Sequence, residues 1–374
     1  MSIPKPRQGD NLGFQIYPES TREATLGDPE KIIWSSIRQL CAKGIMQYFL
    51  REKYEIKKRS VRSTIADSVK LYIEQASEFY EAAQLSKPNT APLFYYYSFL
   101  NLAKARCEIY RPRFHETNEC YRHGLSWKPD PSWVVNMKRE AVSVSTRGVW
   151  HVLLEAVTGK KCTVPNPVRL QVGDLFSYCP DIAVEYERTY GKDLNLLDLI
   201  DPHILARKNK RDIWIRFSVR RNDLRTLHLT KKKLLNLFTL PNKPYREVKA
   251  DVKELVSFEL IKPHKLDMRK PYFGSVHEEI SKMNIFATLA YGEMHYAVPL
   301  QSHLPVVLPQ IVVLYTLMFW LSSLVRYDPH SLAVLRDSGY WLLIDGFMRQ
   351  SQIRLLELFH WEFYQLEVSL SSMR

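Results

Sequence analysis

The chain has no GxxxxGKS/T loop, no GxGxxG, no GxSxG and no HExxH. The common phosphate-loop, dinucleotide, serine-hydrolase and zinc-protease readings therefore lose their main support. Its five cysteines (Cys41, Cys107, Cys120, Cys162, Cys179) are scattered, odd in number and form no CxxC pair. That spacing speaks against a zinc ribbon or a disulfide framework and for free thiols in a reducing cytoplasm. No metal and no cofactor is expected. The first thirty residues lack an apolar run, which removes a signal-peptide reading and leaves an irregular arm. There are no internal repeats and no low-complexity tract.

What is present is basic charge, concentrated in one place. Between Arg207 and Lys270 there are 19 Lys and Arg against 7 Asp and Glu, an excess of 12 in a chain whose net charge is +13. The remaining 310 residues are close to neutral. A local cationic patch is the electrostatic footprint of a surface that meets phosphates. Within it, Asp212 to Arg221 alternates as a half-buried strand. Ile213, Ile215, Phe217 and Val219 face one way, and Trp214, Arg216, Ser218 and Arg220 the other. Arg221, Arg225, Lys231, Lys232 and Lys233 follow. Arginine offers planar two-donor recognition of phosphate, lysine a point charge, and an aromatic ring a platform for an unpaired base. The same charges would also serve an acidic protein partner, or a solvated face paired with carboxylates.

One segment tests whether the chain is soluble. Leu304 to Val325 carries no charge over 22 residues, enough on paper to cross a bilayer. Pro305 and Pro309 push the helix start to about Pro309. The remaining sixteen residues, at about 1.5 Å each, reach roughly 24 Å, short of the roughly 30 Å hydrocarbon core. A buried core helix is expected, with no membrane partner.

The N-terminal third reads helical. Lys31 to Tyr54 carries Ile33, Ile37, Leu40, Ile45, Tyr48 and Phe49 near helical spacing. After the basic break at Lys57 to Arg62, Ser63 or Thr64 is placed to cap a second helix. A third opens at Thr90-Ala91-Pro92, with proline in its first turn. Its run Phe94-Tyr95-Tyr96-Tyr97 reads as core packing rather than as a base platform. Residues 128–200 mix short helices and strands. Arg246 to Leu260 and Ile285 to Val298 read as strands, the latter as a pair turning at Tyr291-Gly292-Glu293, and helix resumes from Pro309.

Two further segments bear chemistry. In Arg326-Tyr327-Asp328-Pro329-His330, an arginine at a helix end and a histidine one turn on have the makings of phosphorane stabilisation and proton transfer in RNA cleavage. The structural alternative makes Asp328 an N-cap and Pro329 a first-turn residue. Arg111-Pro112-Arg113-Phe114-His115 with Arg122-His123-Gly124 reads either as an anion-binding cluster or as a connecting loop.

The run Ala91-Pro92-Leu93-Phe94-Tyr95-Tyr96-Tyr97-Ser98-Phe99-Leu100-Asn101-Leu102-Ala103-Lys104-Ala105, followed by His123-Gly124-Leu125, resembles the N-terminal signature of YaaC-like proteins. Leu321-Ser322-Ser323-Leu324-Val325-Arg326-Tyr327-Asp328-Pro329 resembles their C-terminal one. The resemblance implies a soluble bacterial protein with helical ends around a mixed middle, and it carries no residue roles. A weaker analogy is to HEPN ribonucleases of toxin and antiphage systems, which use an arginine and a histidine four to six residues apart, usually in a dimer-shared site. Here three residues, one of them a proline, separate Arg326 from His330.

The fold expected is α+β. An irregular arm (1–30), N-terminal helices (31–127), a basic mixed middle (128–300) and C-terminal helices (301–374) are set out, the helical ends sharing one core. The function expected is a cytoplasmic nucleic-acid-binding protein of bacterial antiphage defence, holding DNA or RNA through Trp214, Arg216, Arg220, Arg221, Arg225 and Lys231 to Lys233. The alternatives are a metal-independent HEPN-like ribonuclease with Arg326 and His330 as catalytic residues, and a non-catalytic subunit docking an acidic protein in a defence complex. Self-association is compatible with each.

Overall fold

The computed structural model describes residues 29–128, 137, 139–159, 161, 168–206, 212–237, 245–250, 252–260, 264–265, 285–290, 293–300 and 308–364. Two compact units emerge, one within 195–302 and one formed by 21–194 together with 303–374. The first boundary, at Asn195, falls inside the middle region set out above as 128–300. The fold is α+β, with a helical core and two antiparallel sheets.

The helical unit is built around α4 (Ala91–Tyr110), which packs on α3 (Arg59–Leu85), α5 (Val149–Thr158), α10 (Gln310–Tyr327) and α13 (Gln352–Tyr364). A helix touched from so many directions must be apolar on most of its circumference. Tyr95, Tyr96, Phe99, Leu102, Ala103 and Ile109 are indeed all buried. Pro92 sits in its first turn as expected. Arg106 ties three helices together, its Nε 3.0 Å from Glu362 on α13 and its Nη2 donating to the Ala156 carbonyl of α5 at 2.7 Å. α10 begins directly after Pro309, and its side chains from Gln310 to Leu324 are buried. It is long and apolar enough to cross a membrane by length and composition, but 83% of it is buried inside the protein. That burial is compatible with a soluble molecule. The described cysteines Cys41, Cys107, Cys120 and Cys179 are free thiols.

Two details differ from the sequence reading. Lys31 to Tyr54 is not one helix but α1 (Pro29–Gln39) and α2 (Lys43–Glu52), broken at Leu40 to Ala42. The break shifts the helical phase, so Met46, Phe49 and Leu50 are buried while Ile45 and Tyr48 are exposed. In addition, α3 starts at Arg59, ahead of Ser63 and Thr64, and has no side-chain cap. Arg62 donates to the Ile56 carbonyl at 2.8 Å, so the basic run is absorbed into the helix start instead of ending it.

Around this core lie a three-stranded sheet, β1 (Leu125–Ser126), β2 (Ala141–Val144) and β3 (Val168–Gln171), and the short helices α6 (Val172–Phe176) and α7 (Ala183–Tyr190). A buried carboxylate, Glu140, accepts from two indoles, Trp127 Nε1 at 2.8 Å and Trp320 Nε1 at 3.2 Å. After α10 come α11 (Pro329–Arg336) and α12 (Trp341–Gly346), then a single π-helical turn (Phe347–Ser351) that runs into α13.

The second unit is an antiparallel sheet in the order β6 (Tyr245–Val248), β7 (Leu255–Leu260), β5 (Asp212–Arg220), β4 (Leu196–Ala206), β10 (Glu293–Pro299), β9 (Phe286–Ala290), with β8 (His264–Lys265) also on β5. The expected strand at Arg246 to Leu260 is thus the β6–β7 pair. The expected pair at Ile285 to Val298 is the β9–β10 hairpin. One face is apolar, with Phe217 stacked on Phe258 at 5.7 Å beside the buried pair Val219 and Val256. The Leu300 amide donates to the Asn195 carbonyl at 2.8 Å, so the two ends of the unit are bonded to each other.

Candidate functional site

The basic strand is less free than its sequence reads. Register places Arg216 of β5 opposite Glu259 of β7, and Glu259 opposite Arg246 of β6. Both guanidinium groups approach the Glu259 carboxylate, at 3.6 and 3.9 Å, and Glu259 is buried. In the next row the hydroxyls of Ser218 and Ser257 hydrogen-bond at 2.7 Å, and both serines are buried. The face expected to be wet is therefore partly closed and partly neutralised at these rows. Two guanidinium groups share one carboxylate there, which offsets part of the positive charge of this row. The side chain of Trp214 lies outside the described residues, and its backbone pairs with Leu205.

Farther along, charge becomes free. Arg220 is shared between Asp198 at 3.5 Å and Asp223 at 3.7 Å. Arg221 is exposed and donates from Nε to the Lys253 carbonyl at 2.7 Å, opening α8 (Arg221–Thr226). On α9 (Lys231–Leu237), Leu234 is fully buried and anchors the helix, while Lys231, Lys232 and Lys233 point outward. Lys231 pairs with Glu247. Arg225, Lys232 and Lys233 are exposed and make no ion pair among the described residues. The cationic surface available for a partner thus lies on α8 and α9 rather than on β5.

In the helical unit, Asp328 caps α11. Its carboxylate accepts the Ser331 amide at 3.0 Å and the Ser331 hydroxyl at 2.6 Å, with Pro329 in the first turn. His330 is exposed on that turn. Arg326 lies inward, stacked on three rings. Its guanidinium carbon stands 5.8 Å from the Tyr96 ring, 5.7 Å from Tyr97 and 4.9 Å from Tyr327, and Nη1 donates to the Tyr97 hydroxyl at 3.3 Å. Its Nε is buried without an acceptor.

The histidine brought to this arginine is His123. Its Nδ1 is 2.7 Å from the Tyr96 hydroxyl, and its ring packs on Phe319 of α10. Burial, then the nearby charges of Arg326 and Lys104, push its pKa down to about 4. Burial also holds the Tyr96 phenol well above its ordinary range. Backbone geometry fixes the His123 loop. The first amides of α5 donate to it, Val149 to the Arg122 carbonyl at 2.9 Å and Trp150 to the His123 carbonyl at 3.1 Å. Gly148 has φ +139°, and a Cβ there would meet the Gly124 nitrogen at 2.5 Å. Only glycine permits that approach.

The rest of the arginine-rich loop is structural. Arg111 pairs with Glu119 and Glu155. Glu108, fully buried, accepts the amides of Arg113 and His115 at 2.8 and 3.0 Å and the His115 ring at 3.0 Å. Among the described residues, no group of three or more His, Cys, Asp or Glu is placed to hold a metal ion. Sequence reasoning set Arg326 beside His330 and left His123 in another cluster. The available signal was that the two segments resembling a family signature, with the His123 loop, converge at one place.

Fold and site define an α+β protein with a helical core, a cationic sheet unit and a tyrosine-lined arginine–histidine cluster. The chain matches the family model described as YaaC-like Protein over residues 38–363, and it belongs to that family. No curated protein and no solved structure matches it.

Proposed function

We propose that the sheet unit binds nucleic acid through the cations of α8 and α9, as a cytoplasmic component of bacterial antiphage defence. The observation that carries this reading is the exposure of Arg225, Lys232 and Lys233 without ion-pair partners among the described residues, in a segment holding nearly all of the chain's net charge. Such charges attract phosphates whatever the base sequence, by releasing counterions. The pairing of Arg216 and Arg246 with Glu259 gives the strand a stabilising role instead.

Oligonucleotide binding measured between about 50 and 200 mM salt tests the proposal. Affinity should fall steeply across that range. Replacing Lys231, Lys232 and Lys233 together should flatten the slope while leaving the melting temperature unchanged. Salt-independent binding, or none, removes the reading. Salt-sensitive capture of an acidic protein in place of an oligonucleotide would replace it with the docking alternative.

A further inference from the structure

The large sheet ends on two edges of different character. At one, β6 carries the exposed Arg246 and Glu247, and Lys249 follows, exposed as well. Arg246 approaches Glu259, and Glu247 pairs with Lys231 of α9. Charges along an edge discourage a further strand from joining it. At the other edge, β9 reads Phe286-Ala287-Thr288-Leu289-Ala290, with no charge and no proline, and it pairs with β10 alone among the described residues. The register shows which backbone groups that pairing uses. In an antiparallel ladder, residues bonded to one neighbouring strand alternate with residues bonded to the other. The Leu300 amide donates to the Asn195 carbonyl, a phase that turns Val298 and Tyr296 of β10 toward β4. Glu293, His295 and Ala297 are left for β9, where they lie opposite Ala290, Thr288 and Phe286. The backbone N–H and C=O groups of Ala287 and Leu289 therefore point outward from the sheet edge.

A second copy of the same strand matches these groups. Set antiparallel about a two-fold axis at Thr288, Ala287 of each copy faces Leu289 of the other, and each such pair can exchange both its N–H···O bonds. The two Thr288 residues then meet on the axis as a non-hydrogen-bonded pair, where side chains come closest and threonines pair favourably. No like charges oppose one another there. With one strand-accepting edge on each chain, the association closes at a dimer instead of continuing into a fibre. The cations of α9, tied to the β6 edge through Lys231 and Glu247, fall at the far ends of the joined sheet and do not repel across the interface.

We infer that β9 is a dimerisation edge, through which a second copy of this chain extends the sheet across a two-fold axis at Thr288. The edge is distinct from the α8–α9 surface and stands or falls independently of the nucleic-acid reading. The test is sedimentation velocity of the nuclease-treated, full-length protein across about 1–100 µM, the range in which a small interface associates. A monomer–dimer equilibrium is expected. Ala287→Pro removes an outward N–H and no β9–β10 bond, so it should weaken dimerisation about tenfold or more with an unchanged melting temperature. Thr288→Lys and Thr288→Glu should each stay monomeric alone and associate when mixed, since like charges repel across the axis and opposite charges attract. In hydrogen exchange, the Ala287 and Leu289 amides should slow as concentration rises, while those of Phe286 and Thr288 stay slow throughout. The Lys231, Lys232 and Lys233 triple variant should dimerise like the wild type. A wild type that is monomeric at every concentration would overturn the inference and leave the edge to a strand of another protein. Undiminished dimerisation of Ala287→Pro, failure of the two Thr288 variants to associate when mixed, or loss of the dimer in the triple-lysine variant would overturn it too.

Discussion

The Tyr96 hydroxyl lies 2.7 Å from His123 Nδ1, and the Tyr96 ring is at the same time one of the faces on which Arg326 rests. A single phenol from α4 thereby links a loop before β1 to the end of α10. The aromatic run around it serves in the core, and one of its members also orients polar chemistry.

Pairing should separate stability from binding in the sheet unit. Arg216→Ala leaves the buried Glu259 carboxylate with only Arg246 at 3.9 Å, and is expected to cost about 1–3 kcal/mol of stability. Lys232→Ala with Lys233→Ala should leave thermal stability within about 0.5 kcal/mol and lower oligonucleotide affinity at low salt. Chemical denaturation and binding, measured on the same proteins, check both outcomes.

The α10–α11 junction makes a distinct prediction. Asp328→Ala removes a buried cap that serves both the Ser331 amide and its hydroxyl, at a cost of about 1–2 kcal/mol. His330→Ala should change the melting temperature less. Metal-free RNA cleavage by the wild type that disappears in His330→Ala protein of unchanged stability would establish the ribonuclease alternative instead.

Acid should weaken the helical unit through His360. This residue is buried, its Nε2 is 2.9 Å from the Ser36 hydroxyl, and burial pushes its pKa down to about 4. The unfolded chain protonates it near pH 6.5. The folded state therefore binds fewer protons between those values. Its contribution is complete above about pH 6.5 and is lost as pH falls toward 4, by about 3 kcal/mol in all. His360→Gln should flatten that limb in pH-dependent denaturation. The flattening should be partial, because His123 is depressed in the same direction.

Gly148→Ala should be among the most damaging small substitutions. The added methyl would meet the Gly124 nitrogen at 2.5 Å and the Arg122 carbonyl oxygen at 2.6 Å, both backbone atoms that cannot swing aside. A loss of more than about 2 kcal/mol is expected. Gly159→Ala, at a helix end with open space around it, should cost less despite its positive φ. Thermal melts of the two proteins give the comparison.

Much of this architecture is written in local pattern. The proline at the start of α4, the onset of α10 after Pro309 and the two-residue alternation of β5 each depend on neighbours within one turn or strand. The break after Gln39 was hidden because α1 and α2 are both amphipathic, and periodicity alone cannot show where one phase ends. Long-range pairing was hidden for a different reason. Glu259 lies 43 positions from Arg216, and only strand register reveals that it neutralises a charge counted as free. Likewise His123 and Arg326 are about 200 residues apart in sequence, whereas His330 is four away from Arg326 and so looked like its natural companion.

The interruption of the helical unit by residues 195–302 sets a timetable for synthesis. From the end of α4 to the start of α10 the ribosome must add about 200 residues, roughly 10–40 s at typical elongation rates. Until then α4 has no helix to cover the side that α10 will occupy, and Tyr96 lacks its partners Tyr315 and Phe319. The sheet unit, whose ends meet at Asn195 and Leu300, can close before its host is complete. A nascent chain stalled near residue 300 should thus bear a finished insert on an unfinished core, the stage at which a chaperone has most to hold.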